Sequence, residues 1–307
     1  MPEHDFYPIG DLVSNYLDRV YHGSKTNPLP VPTGFRDLDR LTGGLYQGDL
    51  IVIASRPSVG KTSFALSIAL NAAYRFAQTV GFFSLESSRH QITQRLLTMI
   101  SGIDSNRMRM GRLSEYDVAK LTDASNRLSV IPLYIDDTPN LDADDLRART
   151  HHLVQTVEPD LIIIDRLQLL SQSPKPKDKP TQPIPQDLKL LATEINRPVL
   201  VVSELSRAVD NRSDHIPKLS DLSGGRGIED VADLILLMHR EDYYYPDTER
   251  KGIMDLYVAK HRNGPTGMIS MVSFERYVRF LSLSSADDLE FNPLDPECWI
   301  DPLDFRS

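Results

Sequence analysis

The order of the apolar segments predicts that this chain has an α/β fold, in which helices cover both faces of a mostly parallel central sheet. Short apolar runs of strand length alternate with longer runs of helical spacing over residues 50–238, and this alternation is typical of strand–helix–strand units. The strand-like runs are apolar enough to be buried on both faces. The last three runs follow one another directly, so we expect antiparallel strands at the C-terminal edge of the sheet.

The elements can be placed along the chain in order. Apolar residues at helical spacing predict an N-terminal helix over residues 9–20, stopped by Gly23, and the proline-containing stretch 24–32 is typical of a linker. That helix either folds back on the rest of the chain or docks on a neighbouring subunit. Helices are also predicted at residues 63–75 and 91–101. The predicted strands occupy residues 50–54, 80–85, 161–165, 199–203, 234–238, 254–260, 268–274 and 277–283.

Composition and charge argue against a membrane-spanning or secreted protein and leave nucleic-acid binding open. No apolar run approaches the roughly 18 residues that a membrane helix needs, and the first residues lack the basic-then-apolar order of a secretory signal. The single cysteine, Cys298, excludes an internal disulfide, so we expect a cytoplasmic protein. Of the net charge of −9, −6 lies in residues 286–307, which we expect to form an irregular acidic arm. The nearly neutral remainder leaves room for a local nucleic-acid site.

The clearest chemical motif is a loop between the predicted strand at 50–54 and the predicted helix at 63–75. A phosphate-binding loop requires this context, because its backbone amides and the start of the helix surround the phosphates. Lys61 would reach the β- and γ-phosphates and Thr62 would ligate Mg²⁺, although Ser55 replaces the usual first glycine. The sequence therefore predicts an ATP site formed by Ser55, Arg56, Pro57, Ser58, Val59, Gly60, Lys61, Thr62 and Ser63.

Two acidic residues at strand ends extend this prediction. Asp165 closes the run 161–165, and ligands of α/β folds bind at the carboxyl ends of the strands. We therefore expect Asp165 to hold Mg²⁺ through its waters. Glu86 ends the run FFSLE and suits the group that orients the attacking water. A turn former at Asp165 or a helix cap at Glu86 is the alternative in each case.

Together these blocks resemble the C-terminal motor domain of DnaB-type replicative helicases, which has a RecA-like fold. The resemblance runs from about residue 32 to residue 283 and implies a linker segment (1–31), a RecA-like ATPase domain (32–285) and an acidic tail (286–307). Residues 9–20 look like the family's linker helix, which docks on the adjacent subunit. The blocks that carry the resemblance are, in order, TGFRDLDRLTGGLYQGDL, ASRPSVGKTSFALSIA, FFSLE, GRLSEYD, LYIDDTP, IIIDRLQLL, IEDVADLILLMHRED and AKHRNGPTG.

The resemblance implies further roles and partners. Glu86 matches the catalytic glutamate, and Lys260 and Arg262 match a basic pair that reaches the neighbouring subunit's ATP site, with Arg262 as the arginine finger. This implies a homo-oligomer, a hexameric ring with ATP and Mg²⁺ bound between subunits. Without the resemblance, solvated edge-strand charges would be the better interpretation of this pair. Single-stranded DNA and a loader or other replisome protein are the other expected partners, and no membrane is expected.

Two stretches correspond to the family's DNA-binding loops in the ring channel. One contains Gly225, Arg226 and Gly227, and the other contains Lys175 and Lys177 in a proline-rich segment. Neither offers aromatic residues for base stacking, so we expect salt-sensitive binding to DNA phosphates. A solvated loop is an equally good interpretation of the second stretch.

Four departures from the family pattern bear on function. The family's N-terminal domain has no counterpart in these 307 residues. Glu204 stands where the family has a glutamine that senses the γ-phosphate, and a carboxylate there is repelled unless it is protonated or paired. Arg166 replaces an aromatic residue, and Ser223 replaces an arginine of a DNA loop.

Two functional hypotheses follow from this pattern. The first is an ATP-dependent hexameric DNA helicase that translocates on single-stranded DNA during replication. The second is a helicase-like paralogue that binds ATP and assembles with a protein partner without unwinding DNA; Glu204, the missing N-terminal domain and the acidic tail favour it. A recombinase of the wider RecA group is a weaker third option, because AKHRNGP points to the helicase branch.

Overall fold

The computed structural model describes residues 7–22, 29–172, 183–223 and 227–283. Its contacts divide the chain into two units, Met1–Pro30 and Val31–Ser307. The first unit contains helix α1 (Ile9–His22), on which Ile9 and Leu12 are exposed. The helix predicted over residues 9–20 is therefore confirmed and is two residues longer. The predicted stop at Gly23, most of the linker and the acidic tail lie outside the described residues.

The two helices predicted in the second unit each begin two residues before the predicted position. The helix predicted over residues 63–75 begins at Lys61 and becomes a π-helical turn over Asn71–Arg75. No described helix is long and apolar enough to cross a bilayer. The α-helices of this unit are α2 (Arg36–Thr42), α3 (Lys61–Leu70), α4 (Arg89–Ser101), α5 (Ser105–Arg109), α6 (Glu115–Leu128), α7 (Ala143–Val157), α8 (Ile184–Ile195), α9 (Ile228–Val231) and α10 (Glu241–Tyr244).

The described strands form one ten-stranded sheet in the order β10-β9-β8-β7-β1-β5-β4-β2-β3, with β6 paired to β5. Strands β7, β1, β5, β4, β2 and β3 are parallel, whereas β8, β9 and β10 are antiparallel at one edge. The predicted α/β fold is thus confirmed. The strands are β1 (Leu50–Ser55), β2 (Val80–Ser84), β3 (Leu133–Asp136), β4 (Leu161–Asp165), β5 (Val199–Leu205), β6 (Leu222–Ser223), β7 (Leu234–His239), β8 (Ile253–His261), β9 (Gly267–Phe274) and β10 (Arg279–Ser282).

Two strands were not predicted from the sequence, and each has a physical reason. Strand β3 has only four residues and lies at the edge of the sheet, where Tyr134 is 45% exposed, so its apolar run is short. Strand β6 has only two residues, which is too short to show any period. The predicted strand at 277–283 is shorter, because a 3-10 turn occupies Glu275–Tyr277 and Val278 is left-handed.

The sheet carries an apolar core on each face. Ile51 and Ile53 of β1 pack into one core and Val52 and Ala54 into the other, as the alternation of side chains along a strand requires. Each fully buried side chain of this size contributes about 1.5–3 kcal/mol. The packed cores therefore fix the positions of the strand ends at the carboxyl edge of the sheet, and of the side chains there.

Candidate active site

Four neighbouring strands end at one edge of the sheet, and each presents a candidate site residue there. The phosphate loop follows β1, Glu204 lies on β5, Asp165 ends β4, and Glu86 follows β2. Ser55 pairs in register with Glu204, and Ser84 pairs with Asp165. Parallel pairing therefore brings together residues that are far apart in the sequence.

The phosphate loop has the backbone geometry that an anion site requires. Ser58 and Gly60 have φ values of +65° and +113°, and Gly60 directly precedes α3. A Cβ atom on Gly60 would lie 3.1 Å from the Phe280 ring in a backbone conformation that side chains rarely adopt. The loop and the N-terminus of α3 thus have the backbone conformation that the predicted phosphate site requires.

A row of alternating charges runs along this edge from Lys61 to Glu86. The Lys61 ammonium is nearly buried and lies 3.6 Å from Glu204 Oε1. Arg166 Nη1 donates to the same Glu204 oxygen, and Arg166 Nε lies 3.5 Å from Glu86 Oε2. The two departures Arg166 and Glu204 are therefore paired with each other. Glu204 meets the requirement that a carboxylate facing phosphates be paired.

Asp165 is a buried carboxylate whose oxygens are not used by hydrogen bonds among the described residues. Its side chain is fully buried, and neither carboxylate oxygen has a hydrogen-bond partner of good geometry among the described residues. Burial raises the pKa of Asp165; the nearby Thr62 hydroxyl lowers that pKa, and the negative charge of Glu86 raises it further. A hydroxyl beside hard carboxylate oxygens fits Mg²⁺.

No group of three or more His, Cys, Asp or Glu side chains arranged to hold a metal occurs in the described part of the chain. Mg²⁺ at a nucleotide site does not need such a group, because one or two protein oxygens and the phosphates hold it. Thr62 and Asp165 are the two side chains that would supply those protein oxygens.

A cleft of about 660 Å³ opens beside the loop, and sequence reasoning missed most of its lining. Gly60, Tyr243, Lys251, Val278 and Phe280 contribute to it. Its volume is within the range of small-molecule sites, and its mixed aromatic and polar wall suits a nucleoside. No sequence motif marks Tyr243 or Phe280: Tyr243 lies on the short helix α10, and Phe280 lies on β10, which pairs antiparallel with β9.

The structure does not bring Lys260 and Arg262 to this chain's own phosphate loop. Arg262 Nη1 lies 3.3 Å from Asp233, and its Nη2 donates to the Asp230 carbonyl at 2.7 Å. Asp233 in turn accepts from the backbone amide of Leu50, the first residue of β1. The phosphate loop follows the other end of that strand, and six residues of strand span roughly 17–20 Å.

The basic pair is held near α9. Lys260 Nζ donates to the carbonyls of Glu229 and Asp230 at 2.6 and 3.1 Å. Burial, followed by the nearby positive charge of Arg262, lowers the pKa of Lys260. The pair therefore lies at the amino edge of the parallel strands, where it can face another molecule.

Only part of the predicted DNA loops falls in the described structure. Gly227 directly precedes α9 and has a φ of +89°, while Gly225, Arg226, Lys175 and Lys177 lie outside the described residues. The start of the first loop is firmly placed, because Ser223 pairs in register with Glu204. The Ser223 carbonyl also accepts from the Ser203 hydroxyl and the Gln168 amide, both at 2.5 Å.

Comparison with known proteins identifies the family of this chain. Residues 30–282 match the DnaB-like helicase C-terminal domain family. The chain is 39% identical over 288 residues to the replicative DNA helicase DnaC of Bacillus subtilis and to DnaB of Geobacillus stearothermophilus. Each alignment covers 92% of this chain and 63% of the relative, so the chain spans less than two thirds of these relatives.

Solved structures agree with the sequence relatives. An ATPase domain superposes with a TM-score of 0.82 at 32% identity, covering 91% of this chain and 100% of that chain. A DnaB-like replicative helicase, whose structure was solved to describe its interactions with primase, superposes with a TM-score of 0.79 at 31% identity and covers 91% of this chain and 67% of that chain. The predicted RecA-like fold is thereby confirmed, and the chain belongs to the DnaB-like helicase C-terminal domain family.

Proposed function

We propose that this chain is the motor of an ATP-driven DNA helicase of the DnaB type, which assembles into a hexameric ring around single-stranded DNA in the cytoplasm. The observation that carries the proposal is the division of candidate residues between two edges of the sheet. Lys61, Asp165 and Glu86 lie at the carboxyl edge, while Lys260 and Arg262 lie at the amino edge. A ring supplies the geometry in which the two edges of adjacent subunits meet.

Each residue at the carboxyl edge has a role that follows from its position. The loop amides and Lys61 would bind the triphosphate, and Thr62 and Asp165 would hold Mg²⁺, which neutralises charge on the β- and γ-phosphates. Glu86 is exposed and follows the strand next to that of Asp165. Its carboxylate would orient the attacking water and accept its proton.

Arg262 would act in the ATP site of the adjacent subunit. A guanidinium that enters from another subunit stabilises the charge that develops on the transferred phosphoryl group. Within its own chain Arg262 is held by Asp233 and by a backbone carbonyl, and it is too far from its own loop to contribute. Hydrolysis would therefore require assembly.

Strand β6 would couple ATP hydrolysis to the loop proposed to bind DNA. Ser223 lies beside Glu204 on β5, and the loop that follows leads to α9, whose carbonyls hold Lys260 and Arg262. A movement of Glu204 would therefore move Ser223, at the start of the loop proposed to contact DNA. Arg226 and the lysines of the second loop would bind phosphates, so DNA affinity would fall steeply with salt.

The direct test is hydrolysis and unwinding by the purified chain. We expect Mg²⁺-dependent ATP hydrolysis that single-stranded DNA stimulates, and ATP-dependent separation of a forked duplex. Native mass measurement with ATP and DNA should show six subunits. Binding of ATP without stimulation by DNA and without unwinding would refute the proposal in favour of a non-unwinding paralogue.

A further inference from the structure

Four charged side chains form the row along the carboxyl edge, and the proposed chemistry uses only the outer two. Lys61, Glu204, Arg166 and Glu86 alternate in sign, and each contacts the next. Lys61 and Glu86 belong to the proposed hydrolysis site. Arg166 and Glu204 lie between them and connect them.

Glu204 competes with ATP for the Lys61 ammonium. Its Oε1 lies 3.6 Å from Lys61 Nζ and also accepts from Arg166. Lys61 is the group that would turn to the phosphates, and a carboxylate beside those phosphates would repel them unless it is neutralised. Arg166 supplies this neutralisation from a side chain only 21% exposed, where water screens its charge weakly.

Arg166 also reaches Glu86. A guanidinium presents five donors in a rigid fork, so it can face two carboxylates at once. Its Nε is buried and lies 3.5 Å from Glu86 Oε2, yet it makes no hydrogen bond of good geometry among the described residues. How closely Arg166 approaches Glu86 therefore depends on how firmly Glu204 holds Arg166.

We propose that Arg166 and Glu204 form a compensating pair that admits ATP to the loop and positions Glu86. Without nucleotide, Glu204 is shared between Lys61 and Arg166. When the triphosphate binds Lys61, Glu204 stays paired with Arg166. This pairing neutralises the carboxylate beside the phosphates, and it keeps Arg166 from moving closer to Glu86. Arg166 is a positioning residue in this scheme. The inference rests on the proposed function, because it requires ATP in the loop.

The test is a double-substitution cycle on the full chain. We would measure the affinity for a fluorescent non-hydrolysable ATP analogue with Mg²⁺, and kcat and KM for ATP. Arg166→Gln should weaken binding about tenfold, which corresponds to ~1.4 kcal/mol, because Glu204 then faces the phosphates unneutralised. Glu204→Gln should bind ATP at least as well as the wild type. It should lower kcat about tenfold, because Arg166 then forms a closer ion pair with Glu86. The double variant should bind within about threefold of the wild type.

A matched ion pair provides the control. Arg147 and Glu194 join α7 to α8 away from the site, so Arg147→Gln, Glu194→Gln and their combination should leave affinity and kcat unchanged. Arg166→Lys keeps the charge but loses the fork; it should retain affinity and lower kcat. A merely structural role for Arg166 would lower thermal stability without coupling the two substitutions in affinity.

Additive effects would overturn the inference, as would a double variant that binds as weakly as Arg166→Gln alone. If Arg166→Gln does not fold, Glu204→Gln decides the matter, and an unchanged kcat in that variant overturns the inference. Failure of the wild type to bind the analogue refutes the proposed function itself. A wild type that binds and hydrolyses ATP, with uncoupled variants, refutes only the compensating pair.

Discussion

Replacing the buried carboxylate of Asp165 should make the nucleotide-free protein more stable while it removes Mg²⁺-dependent hydrolysis. Asp165 is fully buried, and its two oxygens have no partner of good geometry in the described part of the chain. An unsatisfied buried acceptor costs roughly 1–3 kcal/mol, and a charged one costs more. Asparagine has the same shape without the charge, so Asp165→Asn should raise the free energy of unfolding by about 1–3 kcal/mol.

The sign of the pH dependence follows from the pKa of Asp165. Burial raises that pKa in the folded protein above the ordinary value of 3.8, so the folded state binds the proton more tightly than the unfolded state. The penalty is therefore present at neutral pH and disappears below the unfolded-state pKa. The stabilisation of Asp165→Asn over the wild type should vanish as the pH falls through this range.

Thermal unfolding with and without ligand is the assay. Asp165→Asn should melt several degrees above the wild type without nucleotide, since 1 kcal/mol shifts the Tm of a domain of this size by about 2–4 °C. With ATP and Mg²⁺ the wild type should gain about 4.1 kcal/mol at a ligand concentration near 1,000 Kd. The variant should gain much less from Mg²⁺, so the order of the two melting temperatures should reverse.

Asp221 provides the matched control. It is 1% exposed but accepts from both Arg212 Nη atoms at 2.9 and 2.5 Å, and these hydrogen bonds lower its pKa. Asp221→Asn should therefore destabilise the protein, the opposite sign for the same substitution. A loss of stability in Asp165→Asn like that in Asp221→Asn would refute the account of Asp165 as an unsatisfied ligand.

Three further predictions test other parts of the account. Glu86→Gln should keep ATP affinity and lose about 10²–10⁴ in kcat, measured by nucleotide binding and turnover; a normal kcat would remove Glu86 from the chemistry. Gly60→Ala should lose ATP binding through strain and contact with Phe280; unchanged affinity would contradict the loop geometry. Burial, followed by the charge of Asp233, raises the pKa of Asp49 to about 6, so the unfolding free energy should fall as the pH rises from 4 to 6. Asp49→Asn should reduce that fall in denaturant titrations, and an unaltered pH profile would contradict this.

The sequence was sufficient to predict eight of the ten described strands and the candidate site residues that end or follow β1, β2 and β4. Asp165 and Glu86 each follow an apolar run, and Lys61 lies between such a run and a helix. Since parallel strands place their carboxyl ends at one edge, these positions alone indicated a shared site. The α/β class followed from the same runs.

The contacts between strand ends could not be predicted in the same way. The sequence does not say that β5 lies between β1 and β4, and that placement alone brings Arg166, Glu204 and Lys61 together. Glu204 was therefore identified as a charge that needed a partner, but the partner was not. The contribution of Phe280 to the cleft also depends on β10 packing near the loop, which follows from long-range pairing rather than from a local pattern.

The central claim is that each chain supplies half of an ATP site, with Lys61 on one edge and Arg262 on the other. Lys61→Ala and Arg262→Ala should each be inactive alone but should regain DNA-stimulated ATP hydrolysis when they are mixed. About a quarter of the interfaces in a randomly mixed ring join an intact loop to an intact arginine. Recovery that peaks near equal amounts is the predicted result. Absence of recovery at every ratio, in rings shown to contain both variants, would contradict the claim.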